Sequence, residues 1–481
     1  MTVPRARLAL TAALLLPLGA GLPRAMAQTL PEALAMSYGN NPALLAARAQ
    51  LRAVDENVPQ ALAGWRPTVS VSAAGSQGNG NSRTLSAALN PSAQQVWVYP
   101  PVVPSTLHVD RTIGNAQFVI QQPLFRGGRT VSSTRRAENQ VMAQRARLLN
   151  TEQQVMADSV QAYVNVIRDQ EKLRLFMNNE QVLTEQLRAT NERFRVGEIT
   201  RTDVAQAESR LAQARAQRSG AEGSLQISRA TFQRVIGQAP QRLLAPQPLR
   251  PPVRNASDAG QVASVSNPLV VAALFDEAAA RDFIDVQVAQ LMPTVNAIGQ
   301  GQRFDNTNVT HSRSTLASIG AQVSIPIYQG GIEYSQVRQA RQQATGARML
   351  VDDQRRIAVE AATRAWEQLQ TSKAQVESVR VAIRAQEIAL DGVQREAIVG
   401  SRTTLDVLNA ENELLNQRQA LIDALSTLVY QSFVLAQAIG RLTAQDLGLD
   451  VDPYDMRAYY NAVRNRWVGL SDYSAGQPGA R

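Results

Sequence analysis

The amino-acid sequence predicts a membrane α+β fold built as an internal duplication, each copy supplying two membrane-crossing β-strands and one long helical hairpin. Three observations carry that expectation. Two long stretches lack proline over most of their length and repeat one another residue for residue. Each follows runs in which polar and apolar residues alternate. The chain also opens with an export signal, and no later stretch approaches 18 consecutive apolar residues.

The duplication sets the frame. The first proline-free stretch, 128–236, is dense in Ala, Gln, Arg, Glu and Leu, all good helix formers. It follows Pro-Leu-Phe-Arg-Gly-Gly at 123–128, and its only strong interruption is Val196-Gly197. The second follows Pro-Ile-Tyr-Gln-Gly-Gly at 326–331 and is interrupted at Val399-Gly400. Gly128 to Gly197 and Gly331 to Gly400 are both 69 residues, and Gly197 to Gly237 and Gly400 to Gly440 are both 40. Asp203 therefore falls on Asp406. Upstream, Asn41-Pro42 falls on Asn267-Pro268 and Pro67 on Pro293, and the first copy carries 23 extra residues before Pro123. A repeat at fixed spacing outranks local signals in assigning a fold.

The N-terminal segment, 1–27, reads as a secretory signal, with Arg5 and Arg7 before the apolar run 8–18 and Ala25-Met26-Ala27 at the cleavage site. The first repeat, 28–237, begins with helix, Thr29 serving as N-cap and Asn41-Pro42 as a break. Alternation then marks strands at 68–73 and 116–120, with the extra residues between them expected as an outward loop holding His108, Trp97, Tyr99 and several prolines. Residues 238–255 hold five prolines and form an extended connector. The second repeat, 256–440, repeats the plan, with strands at 293–300 and 316–327; Ala317, Ile319, Ala321, Val323, Ile325 and Ile327 share one apolar face. Strands of about ten residues are long enough to cross a bilayer when tilted. Residues 441–481 are expected to be a C-terminal tail, disordered at its tip.

Each helical stretch is expected to fold back on itself at its Val-Gly step, the longer arm reaching about 100 Å at ~1.5 Å per residue. Val407, Leu414, Leu421, Leu428 and Leu435 recur every seven residues, beside Leu408, Leu415, Ile422 and Val429. Two adjacent columns make a stripe wide enough to pack helices on both sides. Four strands cannot close a barrel, and open edges in hydrocarbon leave backbone groups unpaired at several kcal/mol each. Strands from other copies must complete the barrel, and hairpins returning on one side of it then form a hollow tube.

Composition narrows the chemistry. The chain has no cysteine and two histidines, His108 and His311, so thiolate, zinc and triad chemistries lack their residues. Net charge is +9, with acidic and basic residues interleaved along the helices, the pattern of solvated faces rather than of nucleic-acid binding. Asp352-Asp353, Asp282 and Asp285 read as exposed helix charges. No enzyme site, metal or cofactor is expected.

The Asn41-Pro42 start, the two Gly-Gly motifs, Val196-Gly197 with Thr202-Asp203-Val204, and Val399-Gly400 with Arg402 and Asp406-Val407 resemble the TolC-like family of outer-membrane efflux and secretion channels. The resemblance covers nearly the whole mature chain. It implies a homotrimer in the outer-membrane lipid, a shared 12-stranded barrel, a periplasmic helical tunnel, a mixed equatorial region built from the 238–255 connector and the 441–481 tail, and docking through a periplasmic adaptor onto an inner-membrane ABC or RND-type pump. It implies that Val196, Gly197, Val399 and Gly400 form the adaptor-contacting tips. It further implies a gate in which Asp406 lines the constriction and Arg402 links to Thr202 and Asp203 on neighbouring hairpins. The residues themselves also permit helix-start capping by Thr202, Asp203 and Asp406. Two positions depart from the family pattern: Asn409 where some members place a second acidic ring, and Ala397 where some carry tyrosine. Type I protein secretion and drug export both use such a duct, and the absence of an anchoring cysteine leans towards secretion. The alternative, a periplasmic coiled-coil adaptor, shares long hairpins and a signal but calls for one hairpin followed by continuous β domains.

Overall fold

In the computed structural model, residues 28–87, 102–306 and 311–470 are described. The expected signal segment, the Trp97 and Tyr99 region and the tip of the C-terminal tail lie outside them. The two repeats run in parallel. The first comprises α1 (Leu30–Asn40), α2 (Pro42–Asp55), α3 (Asn57–Leu62), β1 (Thr68–Ala87), β2 (Val102–Arg126), α4 (Arg129–Arg195) and α5 (Arg201–Ile236). The second comprises α6 (Ala256–Ser266), α7 (Pro268–Val288), β3 (Thr294–Asp305), β4 (Arg313–Ser324), α8 (Ile332–Ile398) and α9 (Thr404–Ala438). A short α10 (Ala458–Val463) follows. The long arms, α4 and α8, have 67 residues each, so each spans about 100 Å at ~1.5 Å per residue.

The Asn-Pro and glycine motifs repeat because each solves the same packing problem twice. Asn41 caps α2 through Ala43 N–H at 2.9 Å, and its amide donates to the Val235 carbonyl at the end of α5, also at 2.9 Å. Asn267 caps α7 through Leu269 N–H at 2.9 Å and donates to the Ala438 carbonyl at the end of α9 at 3.2 Å. Each asparagine thus starts one helix and satisfies an orphan carbonyl at the end of another. Gly440 sits at φ +76°, and a Cβ there would lie 2.5 Å from the Ser266 carbonyl oxygen, so glycine is required for both reasons.

The principal core lies where α1, α2, the middle of α4, the ends of α5 and α9, and the C-terminal segment meet, with Leu34, Leu44, Leu51, Tyr163, Phe232, Ile236 and Leu442 buried in it. The 238–255 connector is extended, as its prolines demand, and is pinned by Tyr163. That hydroxyl accepts from Leu244 N–H at 3.1 Å and lies 2.8 Å from the Gln28 carbonyl; burial pushes its pKa up to about 12. Glu152 anchors the C-terminal segment by accepting from Ala444 N–H at 2.8 Å. The copies are not identical inside. Ser37 and Ser159 share a buried hydrogen bond of 2.7 Å, whereas the matching Ala263 and Ala362 pack as apolar neighbours.

The four strands form one antiparallel sheet in the order β1-β2-β3-β4, both edges unpaired within the chain. Its register separates two faces. Val69, Val71 and Ala73 lie opposite Ile120, Phe118 and Ala116; these continue through Gly299 and Gly301 to Ala317, Ile319, Ala321 and Val323. The other face is mostly polar, with Ser70, Ser72, Gln117, Gln121, Asn296, Gln300, Gln302, Ser318 and Gln322 beside Val119, Ile298 and Leu316. Apolar-out and polar-in is the pattern of a water-filled barrel in lipid.

Several expectations need correction. The described part of the expected loop extends the strands: β1 and β2 pair without interruption from Thr68↔Gln121 to Ala87↔Val102, and residues 88–101 lie outside the described residues. At ~3.3 Å per residue this ribbon is about twice the ~30 Å hydrocarbon thickness. It therefore continues beyond β3 and β4, which have 12 residues each. His108 accordingly lies in β2, its Nδ1 2.7 Å from the side-chain oxygen of Asn81, and not in a loop, whereas His311 does lie in the β3–β4 turn. β4 stops at Ser324, before Pro326, so Ile325 and Ile327 fall outside it. The described part of the C-terminal segment packs on the first repeat, with α10 set beside α2 and Tyr459 donating to Glu56; the tip expected to be disordered lies outside the described residues. By length and mean hydropathy alone 256–291 and 404–438 could cross a membrane, although neither holds 18 consecutive apolar residues. The first is broken at Asn267-Pro268, and both lie against α8 in the helical layer.

One buried group has a measurable cost. Asp55, at the end of α2, is 1% exposed, and neither carboxylate oxygen finds a hydrogen-bond donor among the described residues. Burial pushes its pKa up to about 7 despite the nearby Arg145 charge. An acid raised in the folded state holds its proton where the unfolded chain has lost it, so stability falls as pH rises from about 4 to about 7. Asp55→Asn is expected to raise the thermal unfolding midpoint at pH 8, with a gain of at most about 4 kcal/mol per chain. The difference should shrink as pH falls towards about 4, below which both states hold the proton, and circular-dichroism melts across that range check it.

Candidate functional site

The two hairpin tips have the same construction, each dictated by a Val-Gly step and a Thr-x-x-Asp cap. At the first, α4 ends at Arg195, Val196 is 79% exposed, and Gly197 turns the chain at φ +79°. Gly197 N–H donates to the Phe194 carbonyl at 3.0 Å and Glu198 N–H to the Arg193 carbonyl at 3.0 Å, satisfying the last turn. At the second, Val399 is again 79% exposed and Gly400 turns at φ +82°. Gly400 and Ser401 N–H groups donate to the carbonyls of Ala397 and Glu396 at 3.1 and 3.0 Å. An L side chain at either glycine would strain the turn.

The returning helices start on reciprocal capping boxes. Thr200 accepts from Asp203 N–H at 3.3 Å while Asp203 accepts from Thr200 N–H at 3.0 Å and from its hydroxyl at 2.7 Å. Thr403 and Asp406 repeat this at 3.3, 2.9 and 2.8 Å. Two orphan donors are satisfied at each start, and a carboxylate sits at the positive end of the helix. The hydrogen bonds from Thr200 hold the Asp203 carboxyl below the usual range, and those from Thr403, with a smaller contribution from the Arg402 charge, do the same for Asp406. Both acids therefore remain ionised at neutral pH.

The expected link from Arg402 to Thr202 and Asp203 is not made within the chain. Arg402 Nε instead donates to Glu396 at 2.9 Å, closing its own tip; Thr202 is exposed, and Asp203 is committed to Thr200. The chain ties its two hairpins together one turn further in. Arg210 on α5 donates to Asn409 on α9 at 2.8 Å. Behind it, Leu183, Leu187, Leu211, Ala214 and Leu408 form an apolar cluster. Sequence reasoning singled out Asn409 as a departure but missed Arg210, Glu396, Thr200 and Thr403. The threonines carried a signal, a Thr-x-x-Asp box at the same offset in both copies, whereas Arg210 is one arginine among many on α5.

Asn139 donates to Asp282 at 2.7 Å and Arg355 pairs with Asp352, so these acids are helix-surface partners. No group of acidic or histidine side chains that would hold a metal occurs among the described residues.

Comparison with known proteins agrees with this geometry. The family model described as outer membrane efflux protein matches residues 33–238 and 259–441, which is to say the two repeats. The outer membrane efflux protein BepC of Brucella suis is 36% identical over 447 residues, covering 93% of this chain and 92% of BepC. The alkaline protease secretion protein AprF of Pseudomonas aeruginosa is 24% identical, covering 68% of this chain and 70% of AprF. In fold, the outer membrane protein VceC of Vibrio cholerae superposes with a TM-score of 0.68 at 19% identity, covering 85% of this chain and 96% of VceC. The CmeC outer membrane channel of Campylobacter jejuni superposes with a TM-score of 0.69 at 16% identity, covering 85% of each chain. The sheet is thus one chain's share of an outer-membrane β-barrel, and the hairpins are its share of a periplasmic helical tunnel. The chain belongs to the outer membrane efflux protein family, whose members are channels rather than enzymes.

Proposed function

We propose that the protein is the exit duct of a tripartite export machine. Three copies, each contributing a four-stranded sheet, close a 12-stranded barrel, within the size range of bacterial barrels. Their hairpins continue the bore through the periplasm. A periplasmic adaptor joins the tips to an inner-membrane ABC or RND-type pump, which supplies the energy the duct lacks. The observation that carries this reading is the equivalence of the two tips: an exposed valine, a left-handed glycine and a capped, ionised aspartate recur at matched positions. Around a threefold axis such tips offer six quasi-equivalent contacts, as a repeated adaptor coat requires.

Val196, Gly197, Val399 and Gly400 are the proposed adaptor-docking surface. Asp406 is the proposed lining of the entrance, its cap fixing the carboxylate at the start of α9. Arg402, Thr202 and Asp203 are proposed to contact one another between chains, where rupture of the Arg402–Glu396 pair frees the guanidinium. A ring of three carboxylates in a narrow pore favours cations. The cargo is proposed to be polypeptide, on the likeness to AprF, a protease secretion protein. Comparing culture supernatants of wild-type and deletion cells tests this: loss of one or a few large polypeptides, restored by complementation, supports it. An unchanged supernatant with new drug or detergent sensitivity would assign the duct to small molecules.

Two substitutions test the tips. Val196→Glu with Val399→Glu is expected to abolish co-purification of the adaptor and to stop export, while heat-resistant trimers still form. Asp406→Ala is expected to shift the reversal potential of bilayer currents in a salt gradient towards zero. In the wild type the cation preference is expected to persist on mild acidification, because the acid is held below the usual carboxylate range. Unchanged selectivity in Asp406→Ala would remove this residue from the pore.

A further inference from the structure

The outward face of the sheet ends in charge. Along β3 the residues on that face are Val295, Ala297, Gly299 and Gly301, then Arg303 and Asp305. Across the ladder Arg313 lies opposite Asp305. Arg303 Nε donates to Asp305 at 3.0 Å and Arg313 Nε at 2.8 Å, so one carboxylate holds two guanidiniums. Their side chains remain 49% and 65% exposed. A guanidinium has five N–H donors and a carboxylate about four acceptor positions, so the triad keeps a charge of +1 and a surplus of donors. We propose that this rim triad binds the phosphate of a phosphorylated lipid in the outer leaflet.

Position argues for lipid rather than solvent. Arg303 stands two residues, about 7 Å, beyond Gly301, which is level with Phe118 and Ala317 in the apolar band. It points the same way as that band, at the end of the sheet away from the helices, and so lies at head-group depth. The next chain in the barrel does not cancel the charge. Its β1 would lie against β4, and β1 (Thr68–Ala87) contains no acidic residue. The outward-facing acid of β2, Asp110, pairs with Asn79 and lies four residues beyond Gly114, the partner of Asp305, roughly 13 Å away. Asp305 spaces the two guanidiniums, and planar forks held side by side suit a phosphate better than mobile point charges do.

The test uses purified full-length trimer in a neutral detergent, titrated with diphosphorylated lipid A and, separately, with its dephosphorylated form. Saturable binding of the phosphorylated lipid is expected, with weaker binding of the other. Arg303→Gln with Arg313→Gln should weaken phosphorylated-lipid binding by about tenfold or more, the equivalent of one charge-assisted hydrogen bond. Heat-resistant trimers of this variant show that assembly is intact. Asp305→Asn raises the local charge from +1 to +2 and should bind at least as tightly as wild type. Equal binding of both lipids, an unaffected double variant, or loss of binding in Asp305→Asn would each overturn the proposal. Inorganic phosphate binding as tightly as the lipid would also overturn it, by assigning the triad to a soluble anion.

Discussion

The unpaired edges of β1 and β4 are the constraint on which the rest of the structure depends. Within hydrocarbon, backbone N–H and C=O groups without partners cost several kcal/mol each, and within the chain β1 and β4 each have a neighbouring strand on one side alone. The chain is therefore incomplete as a monomer in its membrane. The sheet's two faces agree with that need: one carries an apolar band for lipid, the other is mostly polar for a bore. Exposed apolar residues that would be a liability on a soluble monomer, such as Ile319 at 91%, are what a barrel wall presents to lipid.

Helices 67 residues long need more than their own propensity to stay aligned. The duplicated Asn-Pro motifs bind the start of one helix to the end of another in each copy, and the connector and C-terminal segment gird α4 through Tyr163 and Glu152. Stiffness thus concentrates midway, in the apolar core around Leu44, Tyr163 and Phe232. Towards the tips the packing thins to small clusters such as Leu183, Leu211 and Leu408 with the polar Arg210–Asn409 tie. Such a gradient leaves the mouth the part of the tunnel most easily rearranged.

At the tips, capping and gating need not compete. A carboxylate held by Thr403 through both backbone and hydroxyl is a fixed, ionised charge at a helix start, which is what the proposed entrance ring requires. The Arg402–Glu396 pair is exposed on both sides, so screening by salt keeps it weak and exchangeable for a partner on another chain.

Much of this architecture was legible because it rests on chain-local physics repeated twice. The Val-Gly turns, the Asn-Pro starts, the Gly-Gly entries and the length of each helix arm follow from backbone preferences at single positions, and duplication made each of them visible. The alternation at 68–73 and 316–324 likewise announced a two-faced sheet. What the tertiary structure decided were matters of pairing. Residues 77–87 are rich in Gly, Asn and Ser, and residues 102–113 mix Val and Thr with Pro104, His108, Asp110 and Arg111; only the partnership of β1 with β2 makes them a ribbon. Arg402 chose Glu396, and Arg210 chose Asn409, from many surface partners of equal chemistry. Arg303, Asp305 and Arg313 became one triad only when the ladder set them side by side. Periodicity fixes which way a residue points along its own element, whereas a contact between elements depends on register, which the sequence encodes only through the packing of the whole.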